Sequence, residues 1–168
     1  MTLTTIKRGR YVDGFQMLTD IAKVDPVLLP VGSGVAISRG DVVTISSGYL
    51  ALSTSLAVAS VADIYVALDT NTAAEASSSG AVSCLCVPIM NNNVRYQVPV
   101  TADAVLVQAT HVGNAYNLDG SEDGITVAAA VIADFGFLIE EIDISAEAIA
   151  ANTYGYAIGR FVWFSETT

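Results

Sequence analysis

From residue 33 to the C-terminus, apolar and polar positions alternate in short runs broken by turn residues. Runs of this kind, recurring every ten residues or so without regular helices between them, predict β-strands. "GVAIS" leads through "RGD" into "VVTIS", the turn "SG" and "YLALS", which reads as a hairpin. "ADIYVALD" sets Ile64, Val66 and Leu68 against Tyr65 and Ala67. "AVSCLCVPIM" and "VRYQVPV" read as a hairpin through the asparagines 91–93, with Pro99 placing the second strand at an edge or at its end. "ADAVLVQATHVGNAYNL" alternates as well, while "TVAAAVIA" fits either a buried strand or a short helix. "ISAEAIAAN" predicts a helix capped by Ser145 and ended by Asn152. "YGYAIGRFVWF" predicts a closing strand with both faces covered.

Residues 1–32 read differently. Their apolar residues (Tyr11, Phe15, Met17, Leu18, Ile21) are sparse, and Pro26 and Pro30 exclude a regular helix interior. The expectation is an extended N-terminal arm, with one helical turn near residues 14–21, ahead of a single β-domain over 33–168. The fold class is therefore mainly β, a small antiparallel barrel or sandwich with an extended arm and at most one short helix. The polar loop 71–80 is expected to be mobile.

Composition sharpens this picture. Hydrophobic residues make up 52% of the 168 and charged residues 14%, so the chain has a large core or shares apolar surface with other chains. Residues 1–100 hold seven acids and six bases, and residues 101–168 hold ten acids and one base. The acidic second half argues against a nucleic-acid binder. Lys7, Arg8 and Arg10 form a basic cluster at the start, a pattern of attachment, with Tyr11 and Phe15 as exposed anchors. The uncharged stretch 42–62 is long enough to span a bilayer. Its serines and local alternation fit strands better, and no membrane association is expected. No apolar run follows the basic start, which argues against a signal peptide.

Candidate chemistry is sparse. Cys84 and Cys86 share one strand face and read as buried apolar residues. His111, the one histidine, has no Ser or Cys placed to form a triad. Glu140 and Glu141 could serve a glycosidase only by flanking one bond, and neighbours on a strand point to opposite faces. "SRGD" fits a turn as well as an adhesion motif. In "NLDGSEDGIT", Asp119, Ser121, Asp123 and Gly124 match the first half of a calcium loop, but the twelfth position is Ala130. A hairpin loop facing solvent, away from the arm, is the expectation. No catalytic residue, metal or cofactor is expected.

The order "GDVVTISSGYLAL", "HVGNAYNLDGSEDGITV", "DFGFLIEEID", "YAIGRFVWF" resembles the decoration (cement) proteins of tailed-bacteriophage capsids over residues 33–164. The resemblance implies a small, β-tulip-like domain and a non-enzymatic virion protein, made in the host cytoplasm and bound to the capsid surface. It implies a homotrimer whose arm, with Lys7, Arg8, Arg10, Tyr11 and Phe15, clamps neighbouring major capsid subunits. The arm here is longer and more apolar than in the simplest members. A receptor- or carbohydrate-binding domain of a phage fibre or tail is the alternative, with Tyr154, Tyr156 and Trp163 as an aromatic platform.

Overall fold

The computed structural model describes residues 13–54, 56, 63–91, 93–102, 104–118, 122–131 and 134–164. They form two sheets and two short α-helices. The strands are β1 (Gln16–Met17), β2 (Val27–Pro30), β3 (Val42–Ser46), β4 (Tyr49–Leu52), β5 (Ile64–Ala67), β6 (Ser83–Pro88), β7 (Tyr96–Ala102), β8 (Ala115–Tyr116), β9 (Ile125–Thr126), β10 (Asp134–Asp143) and β11 (Tyr156–Phe164). One sheet has the order β1-β7-β11-β10-β8, with β9 also pairing β7. The other has the order β2-β6-β5-β3-β4. The pairs are antiparallel except β7–β9. The fold is thus a small, mainly β sandwich and not a closed barrel.

Alternation along the strands of the five-stranded sheet explains its two cores. Val42, Ile64, Val66 and Val87 face the six-stranded sheet and meet Phe15, Tyr96, Val98, Phe137, Ile139 and Phe161. Val43, Leu50, Ala67, Cys84 and Cys86 point the other way, into a second core with Val31 and Ile37. The sheet curls around that second core. Its edge strands touch through the Val31–Leu50 bridge and the bond from Gly32 N to Leu50 O. The β3–β4 hairpin turns at Ser47 and Gly48, both at positive φ (53° and 86°), which suits the right-handed strand twist.

The N-terminal boundary is corrected by the structure. Residues 13–32 are woven into both sheets: Gln16 pairs with Gln97, and Val27–Pro30 pairs with Ser83–Cys86. The one helical turn there is a 3-10 turn at Ile21–Lys23, capped by Asp20, and not at 14–21. β6 and β7 lie in different sheets, so the asparagine run marks a crossing and not a hairpin. Residues 34–38 contribute one bridge, Ile37–Asn71, in place of a strand. The stretch 104–118 holds a four-residue helix α1 (Gln108–His111) before β8, so the described residues hold two short α-helices and not one.

Pro99 lies in an interior strand, and the gap between two partners accommodates it. Leu18 N bonds Arg95 O, so alternate residues Gln97 and Pro99 also turn their backbone toward β1. β1 pairs at 96–97 and β9 begins at Val100, so the missing N–H of Pro99 faces neither. The predicted helix forms as α2 (Ala146–Ala151), with Ser145 Oγ accepting from Ala148 N and Asn152 as C-cap. Loop 71–80 is pinned by a reciprocal capping box. Thr72 N donates to Glu75 Oε2 at 2.7 Å and Glu75 N to Thr72 Oγ1 at 3.2 Å. Gly34 N also bonds Ala76 O, so the loop is tied to the segment between β2 and β3.

Candidate functional site

The attachment residues divide at residue 13. Lys7, Arg8, Arg10 and Tyr11 lie outside the described residues. Phe15 is described, and it is not an exposed anchor: it is 1% exposed. Its ring stands 5.1 Å from Phe161, 5.4 Å from Phe137 and 6.2 Å from Tyr96, centroid to centroid. Phe15 enters the core because it alternates with Gln16 across the edge of the six-stranded sheet. The chain that follows the basic residues in sequence is therefore fixed in the core at Phe15.

Beside Phe15 is a cleft of about 310 Å³ lined by Asp13, Phe15, Gln16, Met17 and Arg39. Among the described residues its lining carries one acid, Asp13, and one base, Arg39. Gln16 Oε1 is buried without a hydrogen-bond donor, and both amide atoms of Gln97, its cross-strand neighbour, are buried without partners. Gln97 is 1% exposed. Orphaned buried amides are uncommon in folded proteins. Sequence reasoning did not single out Asp13, Gln16 or Gln97, and it met Arg39 only within the SRGD turn. Gln16 and Gln97 meet through register between segments about 80 residues apart, while Arg39 is brought to this stretch by the Phe15 N–Gly40 O bond, and no local signal marks either.

Arg39, Gly40 and Asp41 form the tight turn into β3. Gly40, at φ 98°, accepts from Phe15 N at 2.8 Å, and Asp41 Oδ2 accepts from Ser38 N at 2.7 Å. Asp41 is 6% exposed, so the triplet does not present its acid to a receptor. Burial pushes the Asp41 carboxyl up to about 6. The Ser38 bond pulls it back only partly, and Glu122 and Asp123 add to the rise.

Those two acids belong to the loop that resembled a calcium site. Leu118 and Ile125 bridge across it, as a hairpin requires. Asp119 and Ser121 lie outside the described residues. The loop is not remote from the N-terminal segment: Asp123 O accepts from Gly14 N at 3.0 Å and Glu122 O from Val42 N at 2.8 Å. The first bond holds the loop against the N-terminal segment and the second against β3, correcting its placement away from the arm. Among the described residues no three His, Cys, Asp or Glu side chains converge as a metal site.

Glu140 and Glu141 are neighbours on one strand but share a face. The β10–β11 register shifts between Ile139 and Glu141, so Glu140 is the extra residue of a β-bulge. Arg95 Nε donates to Glu140 Oε2 at 2.9 Å, while its other nitrogen lies 3.9 Å from Glu141 Oε2. Arg160 Nε is 3.0 Å from Glu140 Oε1, an ion-pair contact without hydrogen-bond alignment. The alternation argument against a carboxylate pair fails here. The two carboxylates are instead engaged by guanidinium groups, as a charge network on the outer face.

His111 is buried at the end of α1. Its Nδ1 accepts from Val107 N at 2.8 Å, which places the ring proton on Nε2, and its ring meets Tyr116. That is a structural role. Cys84 and Cys86 are free and buried, as the strand pattern predicts, and the Cys86 thiol is held protonated by its bond to Cys84 and by burial. Of the three proposed platform aromatics, Tyr156 is buried and Tyr154 packs on the core. Trp163 is 52% exposed, with its ring against Phe135.

The class defined by these observations is a two-sheet, mainly β sandwich with the aromatic residue Phe15 fixed in its core. No protein family, curated protein or solved structure matches the chain.

Proposed function

We propose that the chain is a non-enzymatic structural protein of a phage virion. On this reading it binds the outside of the capsid as a homotrimer and stabilises it by bridging neighbouring major capsid subunits. The observation that carries the reading is where the resembling segments fall. "HVGNAYNLDGSEDGITV", "DFGFLIEEID" and "YAIGRFVWF" supply β8 and β9, β10 and β11, and β8, β10 and β11 are adjacent in one sheet. Their order is that of one folded unit and not of scattered matches. Two features fit the role. The basic residues Lys7, Arg8 and Arg10 precede a rigid anchor at Phe15, and the surface carries large apolar residues such as Leu28, Met90 and Trp163. Contact area added across subunit seams raises the cost of separating them.

The test is co-sedimentation with expanded capsid shells, comparing the full chain with a variant lacking residues 1–12. The deletion stops at residue 12 because Phe15 and β1 belong to the core. Binding by the full chain, weakened at least tenfold by the deletion, supports the reading. Absence of binding by the full chain sinks it. The exposure of Trp163 keeps the carbohydrate-binding alternative in view. A glycan array read with the wild type and Trp163→Ala separates the two.

A further inference from the structure

Three main-chain bonds close a ring around the turn that carries Asp41. Gly14 N donates to Asp123 O at 3.0 Å, Val42 N to Glu122 O at 2.8 Å and Phe15 N to Gly40 O at 2.8 Å. The chain itself supplies the remaining links: Gly14 to Phe15, Gly40 through Asp41 to Val42, and Glu122 to Asp123. The ring is tight. A Cβ on Gly14 would lie 3.0 Å from the Gly40 carbonyl, and one on Gly40 would lie 2.9 Å from Phe15 N. Its two ends are fixed differently. Phe15 is seated in the core, and Ile125 pairs with Val100 and bridges to Leu118. Glu122 and Asp123 are held to the rest of the ring by the Gly14 and Val42 bonds.

A charge on Asp41 is poorly accommodated in this ring. The residue is 6% exposed, and its carboxylate accepts from Ser38 N. The charges that act on it are those of Glu122 and Asp123, both of its own sign. The thiol of Cys84 on β6 senses Asp41 in turn. Arg39 within the turn, Asp13 on the N-terminal segment and Asp69 after β5 are the other ionisable groups close by in the chain elements bonded here, and among the described residues no cation pairs with Asp41. Burial and like charge both disfavour the carboxylate. We propose that the ring is a pH-operated latch, closed on a protonated Asp41 and opened locally when Asp41 ionises, with Glu122 and Asp123 lifting away from Gly14 and Val42 while the sandwich stays folded. The latch does not depend on the capsid reading. Its sign follows from the proton. The closed ring holds the Asp41 proton up to a pH of about 6, and an opened, hydrated carboxyl releases it near the ordinary 3.8. Closure is therefore firmest below pH 4, weakens between about pH 4 and 6, and then levels off. Those two values correspond to about tenfold more opening at pH 7 than at pH 5.

Amide hydrogen exchange of the full chain at pH 5, 6 and 7, corrected for intrinsic rates, reads the opening. Gly14 and Val42 are expected to exchange faster than the core amide of Phe137 at every pH, as a local opening requires. Their protection is expected to fall about tenfold from pH 5 to pH 7. In Asp41→Asn that fall is expected to vanish. The carbon-13 shift of the Asp41 carboxyl, followed in the same wild-type samples, ties the change to this group without a variant, and serves if Asp41→Asn does not fold. Its midpoint is expected near 6, together with the loss of protection. Gly14 and Val42 protected as strongly as Phe137 would mean that the ring opens only with the whole fold, which overturns the latch. A fall in protection that persists in folded Asp41→Asn, or a carboxyl midpoint near 4 in the wild type, overturns it equally.

Discussion

Phe15 and Phe161 stand ring against ring, 5.1 Å between centroids and tilted by 31°. The contact joins the beginning of the described chain to its last strand, and Phe137 and Tyr96 close the cluster around it. Replacing Phe15 by Ala leaves a cavity among three large rings, so the expected loss is about 3–5 kcal/mol. Urea unfolding of the wild type and Phe15→Ala measures it. A loss under about 0.5 kcal/mol is what an exposed surface anchor would give, and would contradict the placement.

Asp41 carries a pH dependence of unusual sign. Its carboxyl is raised by burial from the ordinary 3.8 to about 6, so the folded chain keeps a proton that the unfolded chain has already released. The folded state therefore gains stability as pH falls from above 6 toward 4, and loses it as pH rises through the same window. At about 1.4 kcal/mol per unit, the ionised Asp41 costs about 2–3 kcal/mol at neutral pH. Asp41→Asn keeps an oxygen to accept from Ser38 N without the charge. It is expected to be more stable than wild type at pH 8, with the difference closing near pH 4. Thermal unfolding of both proteins across that range is the check. A difference that stays flat with pH would show that Asp41 is not the group involved.

Much of the fold is legible because it is local. The Ser47–Gly48 hairpin, the two-faced alternation of Ile64–Leu68 and the caps of α2 follow from neighbours in sequence. What escapes prediction is set by partners far away. Residues 16 and 27 look like an arm until Gln97 and Cys86 pair with them, some 60–80 positions later. Pro99 reads as an edge residue because nothing local reveals that two short strands share one side of β7. The candidate site is least legible of all: Gln16 meets Gln97 only through that same distant pairing, and Arg39 reaches β1 only through the Phe15 N–Gly40 O bond. The one anchor residue that both the sequence and the structure describe, Phe15, turns inward for the same reason.

Gly159 lies opposite the bulge, paired with Ile139. A Cβ built there would overlap the Leu138 carbonyl oxygen, which is backbone and cannot swing away as a side-chain tip would. Gly159→Ala is therefore expected to cost about 3 kcal/mol or more, the upper range for overpacking. The register of β10 on β11 should shift with it. Amide exchange at Leu138–Ile142, which the bulge organises, gives the readout. Exchange and stability both matching wild type would mean that the close approach of these strands is not maintained in solution.

Glu140 bridges two arginines, yet its deletion should cost little. Its side chain is 28% exposed and those of Arg95 and Arg160 are 45% and 40% exposed, so water screens all three. Exposed pairs contribute about 0.2–1 kcal/mol each. Glu141 already lies 3.9 Å from Arg95 and takes over part of the charge when Glu140 is removed. A double-mutant cycle with Glu140→Ala and Arg95→Ala is expected to give a coupling of about 0.2–1 kcal/mol that shrinks as salt is added. A salt-independent coupling above about 2 kcal/mol would mean that the network is shielded from solvent, as a partner covering this outer face would make it. Repeating the cycle in the presence of shells then asks whether the Arg95–Glu140–Arg160 face is covered in the assembled particle. An increase on binding places the face inside the contact, and an unchanged value leaves it outside.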